Sequence, residues 1–158
     1  MHVANERPGK SKLVSYELQR MTELVTFIAE NHLVGLDIIE GRISLDAAEL
    51  AEMYNFVRPE LQTFATADEL TEYYAAHNCA ELLPRAAAKC AKMFPARYAA
   101  LRVCAAEWQR RSFREIAEAQ GIDTKTLYRW RRAVFQEIAE NVLTELEISF
   151  AYHADTIF

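Results

Sequence analysis

The side chains in this sequence best suited to bind a ligand are hydrogen-bond donors clustered between Arg110 and Arg132. This stretch carries seven basic residues against three acidic ones, although the whole chain has a formal net charge of −5. Guanidinium and ammonium groups donate hydrogen bonds to phosphate oxygens and to the O6 and N7 atoms of guanine. The composition therefore predicts a local affinity for nucleic acid, which the net charge of the whole chain would not favour.

Two short helices joined by a turn are predicted to position these donors. Ser112 and Glu115 form an S-x-x-E capping box, which favours a helix that begins at Phe113. Gly121 can adopt the positive φ that ends this helix, and Asp123 is a suitable N-cap for the next one. The apolar residues of both helices recur at helical spacing and are predicted to form a common core: Phe113, Ile116, Ala117, Ile122, Leu127, Trp130 and Val134.

The side chains left on the outer face are the predicted binding residues, because a helix-turn-helix lays its second helix in the major groove of DNA. We expect contacts to base edges from Thr124, Lys125, Tyr128 and Arg129. Contacts to the DNA backbone are expected from Arg110, Arg111, Ser112, Arg114 and Arg132, and Thr124 is suited to that role as well.

Four segments carry a family resemblance: Phe94–Arg102 (FPARYAALR), Ser112–Glu118 (SFREIAE), Gly121-Ile122 and Thr126-Leu127. Together they resemble the C-terminal promoter-binding domain of bacterial sigma factors, over roughly Pro95–Val142. The resemblance implies recognition of a promoter-like duplex and contact with RNA polymerase. LuxR-type response regulators, phage regulators and small terminase subunits share the motif. The acidic stretch Leu13–Asn78 lacks the basic, aromatic helix that melts a promoter, so a complete sigma factor is not expected.

The predicted fold class is all-α, with a helical N-terminal module followed by a C-terminal helix-turn-helix domain that has a long recognition helix. Only four glycines and four prolines occur, and alanine, leucine, glutamate and arginine are abundant. Ser44 is the expected N-cap of a helix over 45–56. The predicted organisation is a flexible arm (1–11), an acidic interaction or oligomerisation module (12–80), the helix-turn-helix domain (81–147) and an apolar docking tail (148–158).

Other kinds of chemistry have little support in the sequence. Cys79, Cys90 and Cys104 lack metal-ligand or CxxC spacing and are expected to be buried free thiols in a reducing cytosol. We predict no catalytic, cofactor-binding or metal-binding residues and no enzymatic activity. No apolar run approaches the roughly 18 residues of a membrane span, and no signal peptide is recognisable, so we expect a cytoplasmic protein and no membrane partner.

The predicted function is therefore that of a sequence-specific duplex-DNA-binding transcription regulator of bacterial or phage type. It is expected to act as a homodimer or together with RNA polymerase. The stretch 110–132 has a net charge of +4, but the whole chain has −5, so a single helix-turn-helix is expected to have only modest affinity for DNA. Two alternatives remain open. One is a phage DNA-packaging or recombination accessory protein with the same motif, and the other is an adaptor or anti-activator that does not bind DNA.

Overall fold

In a computed structural model of the chain, the described residues form eight α-helices and no strand. The structure describes the backbone of residues 8–157 and the side chains of residues 16–147. This arrangement confirms the predicted all-α class. The helices are α1 (Pro8–Ala29), α2 (Gly35–Ile39), α3 (Ala47–Val57), α4 (Ala67–Ala76), α5 (Cys79–Met93), α6 (Pro95–Glu107), α7 (Phe113–Ala119) and α8 (Thr124–Ile157).

The two ends of the described chain are helical. Helix α1 begins at Pro8, inside the segment 1–11 predicted as an arm, and residues 1–7 of that arm lie outside the described residues. At the other end, α8 runs to Ile157, so the backbone of the predicted tail continues this helix. The side chains of 148–158 lie outside the described residues, and so does their predicted docking. None of the described helices combines the length and apolarity needed to cross a membrane.

Helix α3 begins two residues later than the sequence analysis predicts. Its N-cap is Asp46, whose carboxylate accepts a hydrogen bond from the Glu49 N–H at 2.8 Å. The Glu49 carboxylate in turn accepts from the Asp46 N–H at 3.1 Å, which completes a capping box. The predicted N-cap Ser44 was therefore wrong, because this reciprocal pair satisfies two backbone donors where a lone serine satisfies one.

The larger of two hydrophobic cores is built around the middle of α8. Helices α1 and α5 both pack along it, and α4, α2 and α6 complete the surroundings. Asn141 is the buried polar residue of α8, and its side-chain amide donates to the Ala86 carbonyl at 3.2 Å, which ties α8 to α5. The fully buried side chains of this core include Met21, Leu24, Ile28, Leu83, Ile138 and Val142.

A smaller core lies between α6, α7 and the start of α8. Its buried residues are Ala100, Cys104, Ile116, Ala117 and Leu127. Helix α6 joins the two cores, since its Tyr98 and Leu101 belong to the larger one. The boundary predicted between residues 80 and 81 lies inside α5, so the acidic segment and α8 share one core.

The three cysteines are buried free thiols, as predicted. Burial raises the pKa of Cys79 to about 12 and, together with the charge of Glu137, that of Cys90 to about 11. Both thiols therefore stay protonated at neutral pH and pack as small apolar side chains.

Glu40, just after α2, connects the larger core to α6 by a cluster of charged hydrogen bonds. The Tyr98 hydroxyl donates to its carboxylate at 2.5 Å and the Arg102 guanidinium at 3.1 Å, and Arg42 pairs with its other oxygen. The Glu40 side chain is only 9% exposed. Burial alone would raise its pKa, but the hydrogen bonds from Tyr98, Arg42 and Arg102 outweigh burial and hold the pKa below its ordinary value of 4.5.

We expect Glu40→Gln to lower the free energy of unfolding by about 2 kcal/mol at pH 7, because it removes the charge from three hydrogen bonds. A lowered carboxyl pKa contributes stability that is present above the unfolded-state pKa and is lost as the pH falls through the folded-state value. The difference between the two proteins should therefore shrink below about pH 4.5. Urea denaturation at pH 7 and pH 3.5 measures it, with the exposed Glu72→Gln as the control. A difference that is the same at both pH values would contradict this role.

Candidate nucleic-acid interface

The start of α7 is fixed by the capping box that the sequence predicts. The Ser112 hydroxyl accepts a hydrogen bond from the Glu115 N–H at 3.1 Å, and the Glu115 carboxylate accepts from the Ser112 N–H at 2.9 Å. These bonds to Ser112 lower the pKa of Glu115, so the carboxylate stays ionised and keeps the box closed near neutral pH. The prediction of the capping box is confirmed.

The turn between α7 and α8 is set by two further local features. Gly121 has φ +74°, and a Cβ built there would have no atom within 4 Å. The glycine is therefore needed for its backbone conformation and not for space. Asp123 accepts a hydrogen bond from the Thr126 N–H at 2.7 Å, which lowers its pKa and fixes the first turn of α8. Both features agree with the sequence prediction.

The inner face of this unit is packed tightly. Leu127 and Ala117 are fully buried, and Ile116 is 1% exposed. Trp130, Phe113, Ile122 and Val103 pack around them and are partly buried. Ala117 is fully buried in this core between α6, α7 and α8, so a larger side chain there would strain the packing of these helices. The first two turns of α8 are therefore held from behind by α6 and α7.

The outer face of α8 carries three of the four residues predicted to contact base edges. Lys125, Tyr128 and Arg129 are exposed, and Thr124 is half-buried at the helix start. The Arg129 guanidinium donates to the Thr126 hydroxyl at 3.1 Å. The Tyr128 ring packs on Phe113 with 4.1 Å between the ring centroids. These contacts orient both side chains before any ligand is bound.

One charge on this face opposes the electrostatics of its own helix. The first turn of α8 contains no acidic residue, and Lys125 lies in it. The positive end of the helix dipole disfavours a cation in this turn by a few tenths of a kcal/mol, and the effect fades before Arg129 in the second turn. Among the side chains that the structure describes, Lys125, Arg129 and Arg132 belong to no ion pair. The charges of Lys125 and Arg129 are partly balanced by the Asp123 carboxylate, whose pKa is lowered mainly by its hydrogen bonds and further by these two charges. Exposed cations that form no ion pair remain able to bind a phosphate.

The residues predicted to contact the DNA backbone lie in the link between α6 and α7, on α7 and on α8. Arg110 and Arg111 are exposed in the link between α6 and α7, and Arg111 is 3.8 Å from the Glu107 carboxylate. Arg114 is exposed on α7 and pairs with Glu118 at 3.2 Å. The Ser112 hydroxyl already accepts one hydrogen bond as the N-cap but can still donate one. Arg132 extends the exposed face of α8 by one turn.

Two aromatic contacts near this surface were missed by sequence reasoning. Trp108, directly after α6, is 39% exposed and stacks on His32, with 5.0 Å between ring centroids. Arg131 lies over the rings of Phe113 and Phe135, at 5.5 and 5.4 Å from their centroids. The first contact joins residues far apart in the chain, so no local pattern could have indicated it.

Comparisons with protein-family models, with curated proteins and with solved structures found no match for this chain. Within residues 16–147, no group of three His, Cys, Asp or Glu side chains is arranged to hold a metal ion.

Proposed function

We propose that α7, the turn and α8 form a DNA-binding helix-turn-helix, and that the protein is a sequence-specific duplex-DNA-binding transcription regulator. One observation carries the proposal. Three cations without an ion-pair partner among the described side chains, Lys125, Arg129 and Arg132, lie on the exposed face of α8 while its opposite face is buried against α6 and α7. A helix presented in this way fits the major groove of B-DNA, which is about 12 Å wide.

The roles follow from the chemistry of each side chain. Arg129 and Lys125 can donate to O6 and N7 of guanine, and the Tyr128 hydroxyl can donate to or accept from a base edge. Thr124, at the helix start, is placed for a thymine methyl or a phosphate. Phosphate contacts are assigned to five residues outside the first two turns of α8. They are Arg110, Arg111 and Ser112 between α6 and α7, Arg114 in the first turn of α7, and Arg132 one turn beyond Arg129 on α8.

The proposal includes a second contact that strengthens binding to DNA. The chain has a net charge of −5, so a single helix-turn-helix gains little from long-range electrostatic attraction to DNA. A homodimer would double the contacts. The resemblance to the sigma-factor domain suggests contact with RNA polymerase instead. Such a contact would also hold the protein on the DNA.

Binding to a random-sequence duplex is expected to fall steeply with salt. If about four phosphates are neutralised, the logarithm of the binding constant should fall with that of the salt concentration with a slope of about −4. Fluorescence anisotropy with a labelled duplex of about 20 base pairs measures this slope. A flat profile, or no binding at low salt, would leave the adaptor as the better description of the protein.

Selection of bound fragments from a random DNA pool then identifies the target. A two-fold symmetric site would indicate a dimer and give its half-site spacing. Mass by light scattering completes the test, because a stable ring of many copies would favour the DNA-packaging alternative over a regulator.

A further inference from the structure

Large apolar side chains in the turn between α1 and α2 and on α3 remain in solvent around a groove of about 1630 Å³. Phe56 is 92% exposed, Leu33 70% and Val57 60%. Soluble proteins rarely leave several large apolar side chains exposed side by side unless the surface binds something. We call this surface the α1–α3 groove. Its lining also includes Ile43, Trp108, Met53, Leu61, Arg132 and Gln136.

The walls of the α1–α3 groove are fixed by contacts within the chain. Phe27 on α1 and Tyr54 on α3 meet edge to face, with 6.3 Å between ring centroids. The Glu23 carboxylate of α1 accepts hydrogen bonds from the backbone and hydroxyl of Thr63, at 3.1 and 3.0 Å. Helix α3 also packs on α4. The groove is therefore already formed in the free chain, which reduces the entropic cost of filling it.

The exposed face of α3 has the spacing of a helix that packs against another helix. Glu49, Glu52, Met53, Phe56 and Val57 are separated by three and four residues and line the groove together. In a bundle such a row would be covered by a neighbouring helix.

Acidic residues dominate the charge around the groove. Its lining contains five glutamates and a single arginine, Arg132, which lies at the end formed by α8. Within the described part of the chain, Glu30, Glu52 and Glu60 form no ion pair. An occupant with lysine or arginine beside its apolar face would complement this rim. A second copy docked through the same groove would instead bring glutamates against glutamates, since a two-fold contact is self-complementary.

We propose that the α1–α3 groove binds an amphipathic helix of a partner protein that carries basic residues on both sides of its apolar face. The apolar side chains on α3 and those of Leu33 and Trp108 receive the apolar face, and Glu30, Glu52 and Glu60 pair with the basic flanks; the α3 side chains are Met53, Phe56 and Val57. This is the helix-in-groove mode of recognition. The proposal does not rest on DNA binding, and the α1–α3 groove meets the proposed DNA-binding face only at Arg132.

Two synthetic 18-residue helical peptides test the proposal by fluorescence anisotropy. Both carry leucines at i, i+3, i+4 and i+7; one has lysine and arginine on its flanks, and the other has glutamate there. We expect the basic peptide to bind at least tenfold more tightly than the acidic one. Phe56→Ser, and separately Glu52→Lys with Glu60→Lys, should each weaken the basic peptide at least tenfold. Met93→Ser is the matched control, because Met93 is 55% exposed and lies outside the groove lining.

Several outcomes would overturn the proposal. These are no binding of the basic peptide, equal binding of the two peptides, or the same loss with Met93→Ser as with Phe56→Ser. A dimer seen by light scattering that Phe56→Ser dissociates would assign the groove to self-association instead. Thermal melts of each variant establish that it is folded. Binding of random duplex by Phe56→Ser should be unchanged, which separates failure of this proposal from failure of the proposed DNA binding.

Discussion

Replacing Lys125 and Arg129 together by alanine is expected to reduce binding to the selected DNA site by at least a hundredfold. Each good contact from such a side chain to a guanine discriminates by about 1–3 kcal/mol, and 1.4 kcal/mol corresponds to tenfold. Both residues are exposed, on the same face of α8, and in no ion pair among the described side chains. Anisotropy titrations at fixed salt, with the selected site and with a scrambled duplex, measure the loss.

The same double variant should be about as stable as the native protein. Removing Lys125 from the positive end of the helix dipole favours the folded state by a few tenths of a kcal/mol. Losing the Arg129–Thr126 hydrogen bond and the attraction of both cations to Asp123 opposes that gain. Arg58→Asn is the control, because it removes an exposed cation that is not among the predicted DNA contacts, at a left-handed position that asparagine tolerates. If Arg58→Asn weakened binding as much as the double variant, net charge and not the face of α8 would explain the effect.

Ile116→Ala is expected to abolish DNA binding while most of the chain stays folded. Ile116 is 1% exposed in the smaller core, and truncating a buried isoleucine costs about 2–5 kcal/mol. That core has only five buried residues, and two of them are alanines with small side chains. The remaining contacts cannot offset such a loss. Hydrogen exchange should report lost protection in α7 and the turn, with protection in α1 and α5 nearly unchanged.

Ile138→Ala is the matched comparison, because Ile138 is equally buried but lies in the larger core. Its truncation should lower the midpoint of global unfolding, because α1 and α5 both pack around that part of α8. Urea denaturation followed by circular dichroism distinguishes the two. An Ile116→Ala variant with a global midpoint as low as that of Ile138→Ala would mean that the two cores unfold as one unit.

The turn between α7 and α8 was predictable because its signals are local. The Ser112–Glu115 box, the positive φ of Gly121 and the Asp123 cap each depend on residues within a few positions. Local competition explains the one wrong cap: Ser44 and Asp46 are both good N-caps, and only the reciprocal bond to Glu49 decides between them.

The pairing of distant helices could not be predicted from periodicity. An apolar row indicates that a face is covered, but not by which element, so it does not by itself select α1 as the partner of α8 or pair Trp108 with His32. The same argument explains the α1–α3 groove. Phe56 lies in a helix with ordinary amphipathic spacing, and only the arrangement of the neighbouring helices leaves it 92% exposed.

Helix α8 belongs to both cores without interruption. It has 34 residues, about 50 Å of helix, and contains neither glycine nor proline. Its first turns carry Lys125 and Arg129, and its middle is clamped between α1 and α5. The helix is therefore continuous and has no glycine or proline at which it would kink between its basic first turns and its buried middle. If the proposed DNA binding holds, the angle between α8 and the duplex would be set by the side-chain packing around Ile138 and Asn141, several turns along the helix from Lys125 and Arg129.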